Sequence, residues 1–138
     1  MPKAHQLTIR CTNRPGVLAR IANVMGDAGV NIQGFLLSTS GSKGQVKVVV
    51  DDLGKAKEAL KDAGLSYTDQ LVLHTGLTNV PGALGRFAGK LAARKINILS
   101  GYQTVEKDSK KASVVLEVSN VERALQLSTS TPSGRIYE

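Results

Sequence analysis

Asn13-Arg14-Pro15-Gly16-Val17-Leu18-Ala19-Arg20-Ile21-Ala22 recurs 66 residues later as Asn79-Val80-Pro81-Gly82-Ala83-Leu84-Gly85-Arg86-Phe87-Ala88, with six of the ten positions identical. The same offset aligns Val30-Asn31-Ile32 with Ile96-Asn97-Ile98, and Val48-Val49-Val50 with Val114-Val115-Leu116. One offset serving three separated segments marks an internal repeat, and a repeat decides the architecture before any single element is assigned. Ala59-Leu60 and Ala124-Leu125 align at an offset of 65, which reads as one residue lost late in the second copy.

Working outward from the repeated stretch, each copy reads as the same series of elements. Residues 5 to 11 alternate, with His5, Leu7, Ile9 and Cys11 on one face and Gln6, Thr8 and Arg10 on the other, the period of a half-buried strand. The counterpart places Leu71, Leu73, Thr75 and Leu77 inward. Asn13 is then expected as an N-cap or turn residue, Pro15 as the fixed φ of a first helical turn, and Gly16 as uncovered backbone. Leu18, Ile21, Ala22 and Met25 fall at helical spacing, as do Leu84, Phe87, Ala88 and Leu91, so both stripes should face a sheet. Gly29 suits a left-handed helix end, whereas its partner Lys95 would take that conformation at some cost. A second strand starts at Asn31 and a third spans about Val46 to Val50, joined by the turn-rich Ser38 to Gly44. A helix from about Leu53 to Ala63, closed by Gly64, completes the series. Leu65 to Leu77 is too long for one average strand and reads as the last strand of one copy leading into the first strand of the next.

The order strand, helix, strand, strand, helix, strand is the ferredoxin-like βαββαβ topology. The expected fold is therefore α+β: two ferredoxin-like domains in tandem, residues 1–66 and 67–138, with antiparallel sheets and helices on one face. The last strand of the second domain, near Arg135 to Tyr137, is expected to be short or frayed. A unit near sixty residues buries only ~60% of its unfolded surface, so each half should need the other and a second chain.

Composition narrows the function. The 138 residues are 41% hydrophobic and 21% charged, as in a folded globular protein. No stretch approaches the ~20 apolar residues of a membrane span, and Met1-Pro2-Lys3-Ala4-His5 opens no apolar secretory segment, so a cytoplasmic location is expected. Cys11 is the single cysteine and aligns with a leucine, which makes it a core residue rather than a nucleophile. The net charge of +7 raises a nucleic-acid hypothesis. However, residues 1–66 hold nine basic and five acidic side chains and residues 67–138 nine and six, so the charge is spread. A ferredoxin-like RNA-binding module, the competing reading, should also display aromatic residues on its third strand; Val46 to Val50 and Ala112 to Val118 have none. His5 and His74 lie on different faces of matching strands without a metal-ligand spacing, Asp51-Asp52 sits where a helix cap is favoured, and no phosphate loop occurs. No catalytic residue, metal ligand or cofactor is assigned.

A strand followed by Asn-Arg-Pro-Gly-Val-Leu, an amphipathic helix and Gly29-Val30-Asn31-Ile32 resembles the ACT domain, and both copies carry the pattern from about His5 to about Leu127. The resemblance implies a non-catalytic regulatory protein that binds a free amino acid at domain interfaces, assembles as a homodimer or higher homo-oligomer, and controls an enzyme of amino-acid metabolism. The regulatory small subunit of a biosynthetic enzyme such as acetolactate synthase is a variant of that reading. Carried over by motif, the ligand-binding candidates are Asn13, Arg14, Pro15, Gly16, Val17, Leu18, Asn31 and Ile32 in the first copy. In the second they are Asn79, Pro81, Gly82, Ala83, Leu84, Asn97 and Ile98, with Val80 departing from Arg14. Physically, a first helical turn offers unpartnered N–H groups, and a glycine before it leaves room for a carboxylate. Arg14 could hold a ligand carboxylate, a negatively charged partner or nothing, and Asn31 and Asn97 read either as caps or as contacts to a zwitterion.

Overall fold

Alternating apolar residues close the chain into strands, and the Pro-Gly and Asp-Asp junctions switch it into helices. In the computed structural model, which describes residues 3–105 and 107–128, the order is β1 (Lys3–Thr12), α1 (Val17–Asp27), β2 (Ile32–Ser40), β3 (Lys43–Val50), α2 (Leu53–Asp62), β4 (Tyr67–Thr78), α3 (Ala83–Ala93), β5 (Ile98–Thr104), β6 (Lys111–Val118) and α4 (Val121–Ser128). The chain divides into two compact units, one of His5–Gln70 and one of Leu71–Glu138 with Met1–Ala4. The division falls inside β4, so the two strands anticipated over Leu65 to Leu77 form a single continuous one. The strand anticipated near Arg135 to Tyr137 lies outside the described residues.

The first unit is a ferredoxin-like α+β fold with strand order β2-β3-β1-β4. β1 and β3 run antiparallel with Leu7 opposite Val48 and Ile9 opposite Val46, and β2 pairs with β3 from Ile32 to Ser40 with an irregularity between Ile32 and Gly34. Leu7, Ile9, Val46 and Val48 meet Ile21 and Met25 of α1 and Ala56 and Leu60 of α2 in one core. Burial of this kind contributes ~25 cal/mol per Å2 and is what fixes the strand register. β1 is more buried than a half-exposed strand. Gln6 and Thr8, expected on an open face, are 1% and 6% exposed, and the Thr8 hydroxyl donates to Gln70 Oε1 at 3.3 Å.

The second unit repeats the strand-helix-strand-strand-helix order over β4, α3, β5, β6 and α4, with strand order β4-β6-β5. Its core gathers Leu73, Leu77, Phe87, Leu91, Val114, Leu116 and Ala124. Two expectations need correction here. Leu84, placed on the inward stripe, is 47% exposed, whereas Ala83 is 4% exposed; the inward line of α3 is Ala83, Phe87 and Leu91, one position round the helix. The offset also changes. Leu7 faces Val48 while Leu73 faces Leu116, so the third strands correspond at 68 rather than 66. The extra residues lie in the hairpin: Gly41-Ser42 joins β2 to β3, but residues 105–110 join β5 to β6. The same offset of 68 matches Asp52, which caps α2 by accepting from the Lys55 N–H, with Asn120, which accepts from the Arg123 N–H. The second copy therefore gains residues in its hairpin rather than losing one in its last helix.

Both first helices end alike. The Val30 N–H donates to the Met25 carbonyl with Gly29 at φ 77°, and the Ile96 N–H donates to the Leu91 carbonyl with Lys95 at φ 58°. Lys95 accepts the left-handed conformation, a cost of about 1–2 kcal/mol, because the two-bond helix end requires it.

Candidate functional site

The loop from β1 to α1 is built by Asn13, Pro15 and Gly16. The Asn13 N–H donates to the Ser42 carbonyl at 2.9 Å and its side-chain amide donates to the Gly41 carbonyl at 3.1 Å, so the loop is strapped to the tip of the β2–β3 hairpin. This corrects the expectation of Asn13 as the helix cap: the cap is Gly16, at φ 87°, and no side chain caps α1. Three residues separate Asn13 from the first helical residue, so its amide bonds across to the hairpin instead. Gly16 is required by its backbone and not by crowding. Its left-handed φ disfavours any other residue, and no atom lies within 4 Å of where a Cβ would stand.

Beside this loop lies a cleft of about 510 Å3 lined by Arg10, Cys11, Thr12, Arg14, Pro15, Gly16, Val17, Arg20, Ile21 and Leu65. Three arginines therefore border one cavity. Arg14 Nε donates to Thr12 Oγ1 at 3.0 Å, and Arg20 Nη2 donates to the Ala63 carbonyl at 3.1 Å. Among the described residues none of the three forms an ion pair, and no lining residue is acidic. Cys11, expected as core, is half-buried: it packs against the core and also reaches the cleft. Arg10 and Cys11 additionally border a cleft of about 570 Å3 toward the hairpin, with Ser38, Thr39, Ser40, Lys43, Gly44 and Gln45.

The second unit reproduces the backbone but not the cleft. The Asn79 N–H donates to the Lys110 carbonyl and its amide to the Ser109 carbonyl, both at 2.9 Å, and Gly82 caps α3 at φ 86°. Here, however, a Cβ on Gly82 would stand 2.8 Å from Arg86 Nη1, because that side chain folds back over the loop. The remaining cavity, lined by Asn79, Val80, Gly82, Ala83, Leu84 and Gln103 among others, is about 120 Å3.

Of the residues named from sequence, Arg14, Pro15, Gly16 and Val17 line the first cleft, and Asn79, Gly82, Ala83 and Leu84 the second. Asn13 braces the loop from behind, Leu18 and Ile32 pack against the first core, and Pro81 does not line the second cavity. Asn31 and Asn97 stand at neither cavity. The Asn31 N–H donates to Asp51 Oδ1 and its carbonyl accepts the Asp51 N–H, while Asn97 is held the same way by Ser119. Ile98 is 43% exposed on β5. The residues that sequence reasoning missed are Arg10 and Arg20. Their signal was present in the repeat, since the positions matching Arg10, Arg14 and Arg20 are Gly76, Val80 and Arg86, so the first copy has three cations where the second has one.

Residues 5–64, which contain the whole of the first cleft except Leu65, match the ACT domain model. No curated protein matches the chain. Among solved structures, a Bacteroides thetaiotaomicron protein is similar at a TM-score of 0.86 and 27% identity over 93% of this chain and 88% of that one. The regulatory subunit of aspartate kinase from Thermus thermophilus, in a ligand-free form, is similar in fold at a TM-score of 0.61 and 20% identity over 91% and 89% of the two chains. That from Thermus flavus is similar at 0.63 and 19% over 90% and 86%.

Proposed function

We propose that the chain is a non-catalytic, small-molecule-binding regulatory protein: two ACT domains in tandem, of which the first binds a free amino acid and residues 67–138 are a diverged second copy, and that it transmits the presence of the ligand to an enzyme of amino-acid metabolism. The observation that carries this reading is the first cleft. An open glycine at the start of α1, with Arg14 beside it, offers uncapped N–H groups, the positive end of the helix dipole and a fixed guanidinium to a carboxylate. The ACT match over the same residues supports the choice of ligand class. The competing RNA reading lacks its stacking surface, since β3 and β6 carry no aromatic side chain on which a base could stack.

Transmission follows ordinary linkage. The ligand shifts the protein between assemblies, with a second copy or with a partner enzyme, to the extent that it binds one assembly more tightly. A thermal-shift screen of the twenty amino acids tests the reading. A cognate ligand at a hundredfold excess over its Kd stabilises the folded chain by ~2.7 kcal/mol, and a flat screen would contradict the proposal.

A further inference from the structure

We infer that the first cleft selects a ligand with two carboxylates, of the acidic amino-acid or 2-oxo dicarboxylate class, over neutral amino acids. The inference rests on the reading of this cleft as the ligand site and specifies its charge. Three arginines border the cavity, and a single carboxylate uses at most two N–H donors of one of them in bidentate fashion. Two of the three are already aimed by the protein. Arg14 gives its Nε to Thr12, which leaves the paired terminal nitrogens for a ligand; Arg20 gives one terminal nitrogen to the Ala63 carbonyl and keeps the rest of its five donors. Holding them in advance lowers the entropy lost on binding. Arg10 has no partner among the described residues. No acidic side chain in the lining offsets the three charges, so a ligand of one negative charge would leave guanidinium groups uncompensated.

The neutral alternative predicts a different cavity. A site for a neutral or apolar amino acid is lined largely by apolar side chains with one anchor for the carboxylate.

Titration calorimetry on the full chain decides the matter, using L-aspartate, L-glutamate, L-asparagine, L-glutamine, L-leucine and 2-oxoglutarate as probes. The expected result is that an acidic amino acid binds tenfold or more tighter than its amide. Arg10→Gln, whose side chain supports no internal hydrogen bond and so leaves the fold intact, should bring that ratio toward one, since a contact to a charged group is worth roughly tenfold in affinity or more. An amide or L-leucine binding as tightly as the acids would overturn this inference and leave the amino-acid reading standing. Binding of 2-oxoglutarate without either acidic amino acid would support the dicarboxylate cleft and overturn the amino-acid reading. No heat with any probe would overturn both.

Discussion

The loops Thr12–Gly16 and Thr78–Gly82 share a backbone and differ in the cavity that each borders. Each puts a glycine at a φ near 87° ahead of its helix, and each is strapped to the neighbouring hairpin by an asparagine amide. Yet the first opens on a cleft of about 510 Å3 bordered by three arginines, and the second on about 120 Å3, with Arg86 folded over its own glycine. The repeated Asn-x-Pro-Gly pattern thus specifies a scaffold. Whether a scaffold becomes a binding site depends on residues outside the pattern: Arg10 against Gly76, Arg14 against Val80, and where the shared arginine is tied. Arg20 Nη2 donates to the Ala63 carbonyl, whereas Arg86 Nη1 lies over Gly82.

The strongest challenge to this comparison is at the cores. Phe87 and Ile21 are counterparts, 0% and 1% exposed. Phe87→Ala is expected to cost about 3–5 kcal/mol and Ile21→Ala about 2–5, both by denaturant unfolding. A smaller loss at Phe87 than at Ile21 would mean that the second unit is packed less tightly than its burial indicates.

Next in size are the exchanges between the two loops. Arg14→Val, which gives the first loop the residue of the second, should weaken ligand binding by roughly 1.5–3 kcal/mol, tenfold or more in Kd. The reverse change, Val80→Arg, should create no second site while Arg86 covers Gly82. Calorimetry on the two variants reads both outcomes, and a new site from Val80→Arg alone would show that Arg86 is no obstacle.

Gly16→Ala and Gly82→Ala come third. The strain of a left-handed φ is common to both, so each should lose about 1–2 kcal/mol. The contact at Gly82 involves the far end of a flexible side chain, which can swing aside. A loss at Gly82 clearly above that at Gly16 would indicate that Arg86 is fixed in place.

The smallest effect is that of pH. Burial holds His74 below its ordinary value of 6.5, with its ring within 3.0 Å of Ser113 Oγ. Protons therefore bind the unfolded chain first, and stability present above pH 6.5 is lost as the pH falls through that value toward the folded pKa. Asp69 in the first unit behaves otherwise. Burial alone would raise its carboxyl, but Lys57 Nζ at 2.6 Å and His5 Nδ1 at 2.8 Å hold it below 3.8, so its contribution is lost only as the pH falls below 3.8. Unfolding measured at mildly acidic pH should show a loss that His74→Gln removes and Asp69→Asn does not.

Much of the fold was legible because a repeat is visible without knowing what it encodes, and because Leu7, Ile9, Ile21 and Met25 keep strand and helix periods that burial enforces. What misled was spacing across a loop. Valine runs look alike at an offset of 66 or 68, and only pairing with β1 and β4 shows that the second hairpin is longer. The site was legible in its backbone, through Pro15 and Gly16, and hidden in its charges. Arg10 lies on a strand and Arg20 on a helix, and nothing in either local pattern says that they border the same cavity. At Asn31 it is the backbone that is engaged, its N–H and carbonyl both paired with Asp51, which no sequence pattern around it announces.

The central claim is that the first loop binds the ligand and the second does not. Calorimetric stoichiometry with the amino acid that gives the largest thermal shift tests it most directly. One molecule bound per chain, lost in Arg14→Val and unchanged in Val80→Arg, is the predicted result; two molecules per chain, or a single site that survives Arg14→Val at full affinity, would contradict it.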